Sequence, residues 1–144
     1  MITNKGEEMR ETKFRGFDKE NNCWRYGFYT KLQEGARRFN SIIVDDPETG
    51  LARYYIHSSK TITQYTGLKD KNGKEIYEGD IVMYARESNM TIECTMVGPH
   101  AIGWNNSESH FKLIGAPVHG RLIHKAYEII GNIHENPELL IEEK

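Results

Sequence analysis

The residue types able to do chemistry are present in this chain, but their spacing matches few known sites. The six histidines are His57, His100, His110, His119, His124 and His134. None forms a His-Glu-x-x-His motif or an i, i+4 pair, so no metal face on a helix is encoded. Asp70, Glu75, Glu78 and Asp80 supply hard oxygen ligands of the kind that hold Mg²⁺ or Ca²⁺. The calcium-loop pattern is nevertheless missing, because Asp70 is followed by Lys71, Asn72 and Gly73. Lys69, Lys71 and Lys74 sit among these acids, so the segment reads as a charge-balanced turn. Ser58, Ser59 and Ser107 lie in no nucleophile elbow. The glycine-bearing stretches 67–79 and 115–120 match neither a phosphate loop nor a dinucleotide fingerprint. Cys23 and Cys94 form no Cys-x-x-Cys pair and are expected as reduced cysteines in or near a core. The sequence therefore predicts no catalytic residue, no metal site and no cofactor.

A second pattern concerns binding. Residues 10–38 carry Arg10, Lys13, Arg15, Lys19, Arg25, Lys31, Arg37 and Arg38 against Glu11, Asp18, Glu20 and Glu34. Trp24, Tyr26, Phe28 and Tyr29 are interleaved with that charge. Basic rims around exposed aromatics grip single-stranded nucleic acid by charge and stacking. Arg10, Lys13, Arg15, Arg25, Lys31, Arg37 and Arg38 are the candidate contacts in that reading. The competing reading makes Trp24, Tyr26 and Phe28 the buried side of a strand, against residues such as Ile81, Met83, Ile129 and Ile133.

The elements that must position these residues are mostly strands. Two-residue alternation is common and helical periodicity scarce. Alternation over 23–31 puts Trp24, Tyr26, Phe28 and Thr30 on one face. Residues 11–17 can pair with it through the polar loop 18–22. Further strands are expected at 41–44, 51–57, 60–66, 80–84, 91–97, 100–104 and 127–133. Asn72-Gly73 is the strongest turn signal. Gly98-Pro99 separates two of the expected strands, and 105–120 is weakly patterned. Asn136-Pro137-Glu138 predicts a short helix docked by Leu139, Leu140 and Ile141. The fold class is thus mainly β, built of small coiled antiparallel sheets or SH3-like barrel elements with a short C-terminal helix.

The 144 residues suit one ordinary domain. Aromatics at 10 % and a net charge of −2 argue against a disordered chain and against a strongly basic coat. No run approaches the ~18 apolar residues of a membrane helix. Met1 to Glu8 is polar and unpatterned, and is expected as a flexible leader to a single domain over 9–144. A division into two small β subdomains near 67–80 is the alternative. Phe111, Leu113, Ile114 and Val118 lie on the weakly patterned 105–120 segment, which is expected to contribute to a homo-oligomer contact.

Three stretches carry a resemblance. They are Met9-Arg10-Glu11-Thr12-Lys13-Phe14-Arg15-Gly16, the block from Gln64 to Val82, and the block from Ile129 to Leu140. In this order and spacing they resemble the YopX family of phage and prophage proteins. The middle block contributes Gln64, Tyr65, Thr66, Gly67, Leu68, Asp70, Gly73, Glu78, Gly79 and Asp80. The resemblance implies a small β-rich accessory protein of the bacterial host cytoplasm, with no catalytic residues to carry over. The function expected is a non-catalytic module binding a host or phage macromolecule. Single-stranded nucleic-acid binding through 10–38 is the first alternative and a metal-dependent enzyme the second. Family members begin at the position of Met9, which leaves Met1 and Met9 both open as starts.

Overall fold

The structure, a computed structural model, describes residues 11–87, 94–114 and 127–141. Among the described residues ten strands make two open antiparallel sheets. The first sheet has the order β4-β3-β2-β1-β5-β6. It is built from β1 (Phe14–Asp18), β2 (Cys23–Glu34), β3 (Arg37–Asp46), β4 (Gly50–Ile56), β5 (Thr63–Lys69) and β6 (Glu75–Tyr77). The second has the order β10-β7-β8-β9. Its strands are β7 (Asp80–Glu87), β8 (Cys94–Asn105), β9 (His110–Leu113) and β10 (Tyr127–Asn132). The expected coiled sheets are present, and neither closes into a barrel.

Strands β2 and β3 run well past the expected 23–31 and 41–44. Their pairing continues from Phe28↔Ile43 to Glu34↔Arg37, leaving Gly35-Ala36 as a two-residue turn. A tight turn fixes register, and the pairing then extends for as long as neither strand is broken. The sheet curls so that β1 meets the end of β4. A Cβ on Gly16 would lie 2.9 Å from Ile56 Cγ1, so only glycine permits that approach. Ile42 and Ile56 fill the inside of the curl.

The main core lies between the sheets. Ile76 from β6 packs with Val82, Ile102, Phe111 and Tyr127, and Leu68, Tyr84, Leu113 and Ile129 close around them. Phe111 and Leu113 therefore belong to the chain's own core. That corrects the expectation that they face a second copy. The segment lacks an alternating run, but His110–Leu113 gains a partner by pairing with β8 from Ile102↔Leu113 to Asn105↔His110. Ile114 of that expected contact is 52 % exposed, 115–120 with Val118 lies outside the described residues, and so do Met1 to Arg10.

Three further expectations are corrected. Residues 94–105 form one strand that runs through Gly98-Pro99. Here the ladder to β7 holds on both sides of an irregularity between Val82 and Tyr84. The expected short C-terminal helix is present as a 3-10 helix over Pro137–Leu140, but its cap differs. Asn136 does not cap it by a side-chain bond, because its Oδ1 accepts from the Asn132 N–H at 3.3 Å instead. Finally, the aromatic face of β2 is only part-covered: Trp24 is half-buried against Arg15 and Phe17, and the residues beyond it are not. Tyr26 is 40 % and Phe28 62 % exposed. The opposite face turns into the curl, where Gly27 lies against Ile42 and Ile43 and Tyr29 pairs with Ile42.

Gly73 adopts φ +82° in the β5–β6 turn, where an L side chain is strained. No atom lies within 4 Å of its missing Cβ, so strain alone sets the cost. Gly73→Val is expected to destabilise by about 1–2 kcal/mol in urea unfolding, with Gly73→Asn well below that. Equal losses for both variants would contradict a backbone origin.

Candidate functional site

The residues of the middle block converge on the joint between the sheets. Asp80 opens β7 with its side chain 3 % exposed, and Arg15 of β1 is nearly as buried. Arg15 Nη2 donates to Asp80 Oδ1 at 2.7 Å, and Arg15 Nε donates to Thr63 Oγ1 at 3.3 Å. The guanidinium is flanked by two rings, its carbon 4.5 Å from the Trp24 centroid and 4.9 Å from that of Tyr77. The Tyr77 N–H donates to Asp80 Oδ2 at 2.8 Å. Burial pushes the Asp80 carboxyl above its ordinary pKa, against the pull of Arg15 and the Tyr77 N–H toward the ionised form.

The rest of the block continues the joint. Asp70 Oδ1 accepts from the N–H groups of Asn72 and Lys74, both at 2.9 Å, while Oδ2 accepts from the Ile129 N–H at 3.2 Å. One carboxylate thus shapes the turn and ties it to β10. The Thr66 hydroxyl donates to the Ile76 carbonyl at 2.8 Å and accepts from the Leu68 N–H. The Gln64 carbonyl accepts from the Glu78 N–H. Gly79 donates to the Ile102 carbonyl and accepts from the Ile133 N–H. Tyr65 stacks on Tyr77 at 5.5 Å, and Gly67 lies within the irregular β5–β6 register. Glu75, the acid not yet placed, takes Lys13 at 3.0 Å. The acids Asp70, Glu75 and Asp80 are thus engaged by backbone N–H groups and cations. Among the described residues no group of three His, Cys, Asp or Glu side chains gathers as a metal set.

Beside the joint a cleft of about 300 Å³ is lined by Arg15, Trp24, Tyr26, Lys74, Asp80 and Glu135, among others. The C-terminal segment closes one end. Trp24 Nε1 donates to Glu135 Oε1, and the Trp24 ring lies 5.9 Å from that of His134. Burial, reinforced by the Arg15 charge, holds the His134 imidazole below its ordinary pKa. His134 Nε2 and the Tyr77 hydroxyl are buried without a hydrogen-bond partner among the described residues.

The cations of the first segment divide into two groups. Arg15 is locked at the joint, Lys13 is held by Glu75, and Arg25 Nε donates to Asp18 Oδ2 at 3.0 Å while its guanidinium stacks 3.7 Å over Tyr54. Arg10 lies outside the described residues. Lys31 and Arg38 share one face of the β2–β3 hairpin tip and Arg37 lies on the other, opposite Glu34; all three are exposed and none forms an ion pair with a described carboxylate.

This tip belongs to a lobe of β2, β3 and β4 that extends beyond the second sheet. One face of the lobe carries Tyr26 and Phe28 on β2, Arg53 opposite Ile43, and Leu51 and Tyr55 on β4. Leu51 is 70 % and Tyr55 53 % exposed. Two grooves, of about 470 and 480 Å³, flank β3 at the tip and share Arg38, Phe39 and Asn40. The Phe39 and Tyr55 rings meet edge to face at 5.8 Å. Sequence reasoning missed Leu51, Arg53, Tyr55 and Phe39 as surface residues. The alternation over 51–57 was the available signal, but alternation does not say which face is covered.

The architecture and its joint define a class: a mainly β protein of two open sheets clasped by a buried ion pair. A family model described as "YopX protein" matches residues 13–141, and the chain belongs to the YopX family. Among solved structures it is similar to protein EF1440 from Enterococcus faecalis, with a TM-score of 0.53 and 28 % identity over 92 % of this chain and 100 % of that one. No curated protein matches the chain. Among the described residues no helix is long and apolar enough to cross a membrane.

Removing one partner of a buried pair strands the other charge, which costs roughly 3–5 kcal/mol. Arg15→Met is expected to lose that much stability, and adding Asp80→Asn should restore part of it while keeping an acceptor for the Tyr77 N–H. Additive losses in the double variant would show that the charges do not couple.

Asp18 gives a pH test. Burial alone would raise its pKa, but hydrogen bonds from the Asn21 side chain and backbone, together with Arg25, outweigh it and hold the carboxyl below 3.8. A depressed acid contributes stability above its unfolded pKa and loses it as pH falls through the folded value. The stability advantage of wild type over Asp18→Asn should therefore be full near neutral pH and shrink below about pH 4. An advantage independent of pH would rule out that contribution.

Proposed function

We propose that this protein is a non-catalytic macromolecule-binding module, a phage- or prophage-encoded accessory working in the bacterial host cytoplasm. The observation that carries the reading is the lobe face. Tyr26, Phe28, Leu51 and Tyr55 are large, exposed and on one face of three adjacent strands, with Arg53 among them. Contiguous exposed apolar surface of this kind marks interaction sites in soluble proteins. The polar residues of the family block have structural work at the joint, which leaves the lobe as the surface with free valence. The phage assignment rests on the family, and the cytoplasmic one on that assignment.

The test compares affinity capture from phage-infected host cells by the wild-type chain and by Phe28→Ser/Leu51→Ser. A control variant, Trp104→Ser, alters an exposed residue of the second sheet. Loss of the same captured species with the lobe variant alone, at an unchanged thermal midpoint, is the expected outcome. Identical capture by all three would remove the lobe from consideration.

A further inference from the structure

We propose that the β2–β3 hairpin tip binds single-stranded nucleic acid, threading it across β3 between the two grooves. This rests on the reading of the lobe as the binding part of the molecule, and it names the partner.

The first support is charge complementarity. Lys13, Arg15, Arg25 and Lys71 are each held by a carboxylate. Lys31, Arg37 and Arg38 are exposed, and no described carboxylate pairs with them. Glu34, across the turn from Arg37, is the one acid between residues 31 and 38. The other acids of the lobe, Asp45, Asp46 and Glu48, lie at its opposite end around the β3–β4 turn. Asp46 accepts there from the N–H groups of Glu48 and Thr49. The lobe is therefore polarised, with its cationic end at the tip.

The second support is what lies between those cations. The groove on one side of β3 is lined by Arg38, Phe39, Asn40 and Tyr55 together with the carboxylates Glu20 and Glu34, and the groove on the other, which has no carboxylate, by Lys31, Arg38, Phe39, Asn40 and Tyr29. The two grooves together offer guanidinium, ring and amide groups, Arg38 and Asn40 on one face of β3 with Lys31 and Tyr29, and Phe39 on the other face beside Tyr55. These are the groups that take a phosphate, a base face and a base edge. Each groove falls within the size range of sites for small molecules such as a nucleotide. Asn40 Oδ1 accepts from the Tyr29 hydroxyl at 2.8 Å, which orients the amide. An acidic peptide would satisfy the cations but gives no reason for the half-buried Phe39 and exposed Tyr55 rings beside them, so the strand is the better fit.

The experiment measures fluorescence anisotropy of a labelled oligothymidylate with the full chain, at low and rising salt. A duplex of the same length and a polyglutamate competitor serve as controls. Arg37→Ala/Arg38→Ala should weaken binding tenfold or more and flatten the salt slope by about 0.7 for each phosphate that the variant no longer neutralises. Phe39→Leu should weaken binding while leaving the salt slope unchanged, because stacking is not ionic. Circular dichroism and the thermal midpoint verify that each variant folds. Three results would overturn the proposal: no binding of the single strand at low salt, no effect of either variant, or polyglutamate displacing the strand with Phe39→Leu inert. If the oligonucleotide fails but lobe-dependent capture persists, this inference alone falls. If both fail, the reading of the lobe falls with it.

Discussion

The contact between Arg15 and Asp80 joins the two sheets. An always-charged guanidinium lies between Trp24 and Tyr77, and its one strong ionic partner opens the first strand of the other sheet. A buried ion pair is a weak source of net stability, since two desolvated charges only just recover their hydration. Its value here is geometric. The carboxylate also accepts the Tyr77 N–H, so the end of β6 and the start of β7 must meet β1 in one arrangement. Any sliding of one sheet over the other would leave a charge without a partner in an apolar surround.

That constraint explains the remaining joint. The Asp70 carboxylate, the Gly79 backbone and the Trp24–Glu135 contact each tie a segment of one sheet to a segment of the other. All lie at the same end of the first sheet. Among the described residues these ties reach β1, β5, β6 and the beginning of β2, and no such tie reaches the rest of β2, β3 or β4. The lobe is stabilised instead by its own curl around Ile42 and Ile56. One end of the molecule is locked and the other presents exposed side chains.

The cations of the first segment illustrate how context decides the fate of identical residues. Arg15 and Arg38 are the same side chain in the same stretch of sequence. Arg15 points toward the joint because its register partner is Tyr26 and its neighbour across the sheet is Thr63. Arg38 sits beside a hairpin tip, beyond the reach of the second sheet. Desolvation makes the first an element of structure, and solvent leaves the second available for a ligand.

Much was legible in the sequence alone. Alternation and turn signals identified the β class and most strand positions, because side-chain direction in a strand is a local property of period two. The turn at Gly73 was legible for the same reason, since positive φ is a local demand. The three blocks, in their order and spacing, were enough to read the family. The tertiary structure decided which face of each strand is covered. Trp24, Tyr26 and Phe28 alternate as core residues do, yet Phe28 is exposed, because burial depends on how far the second sheet extends over β2. It also decided that Phe111 is core, that the Asp70 and Asp80 carboxylates are taken up by backbone N–H groups and a guanidinium, and that Lys31, Arg37 and Arg38 stand exposed at the hairpin tip. Each of these turns on contacts between residues far apart in the chain, and a periodicity of two residues carries no information about them.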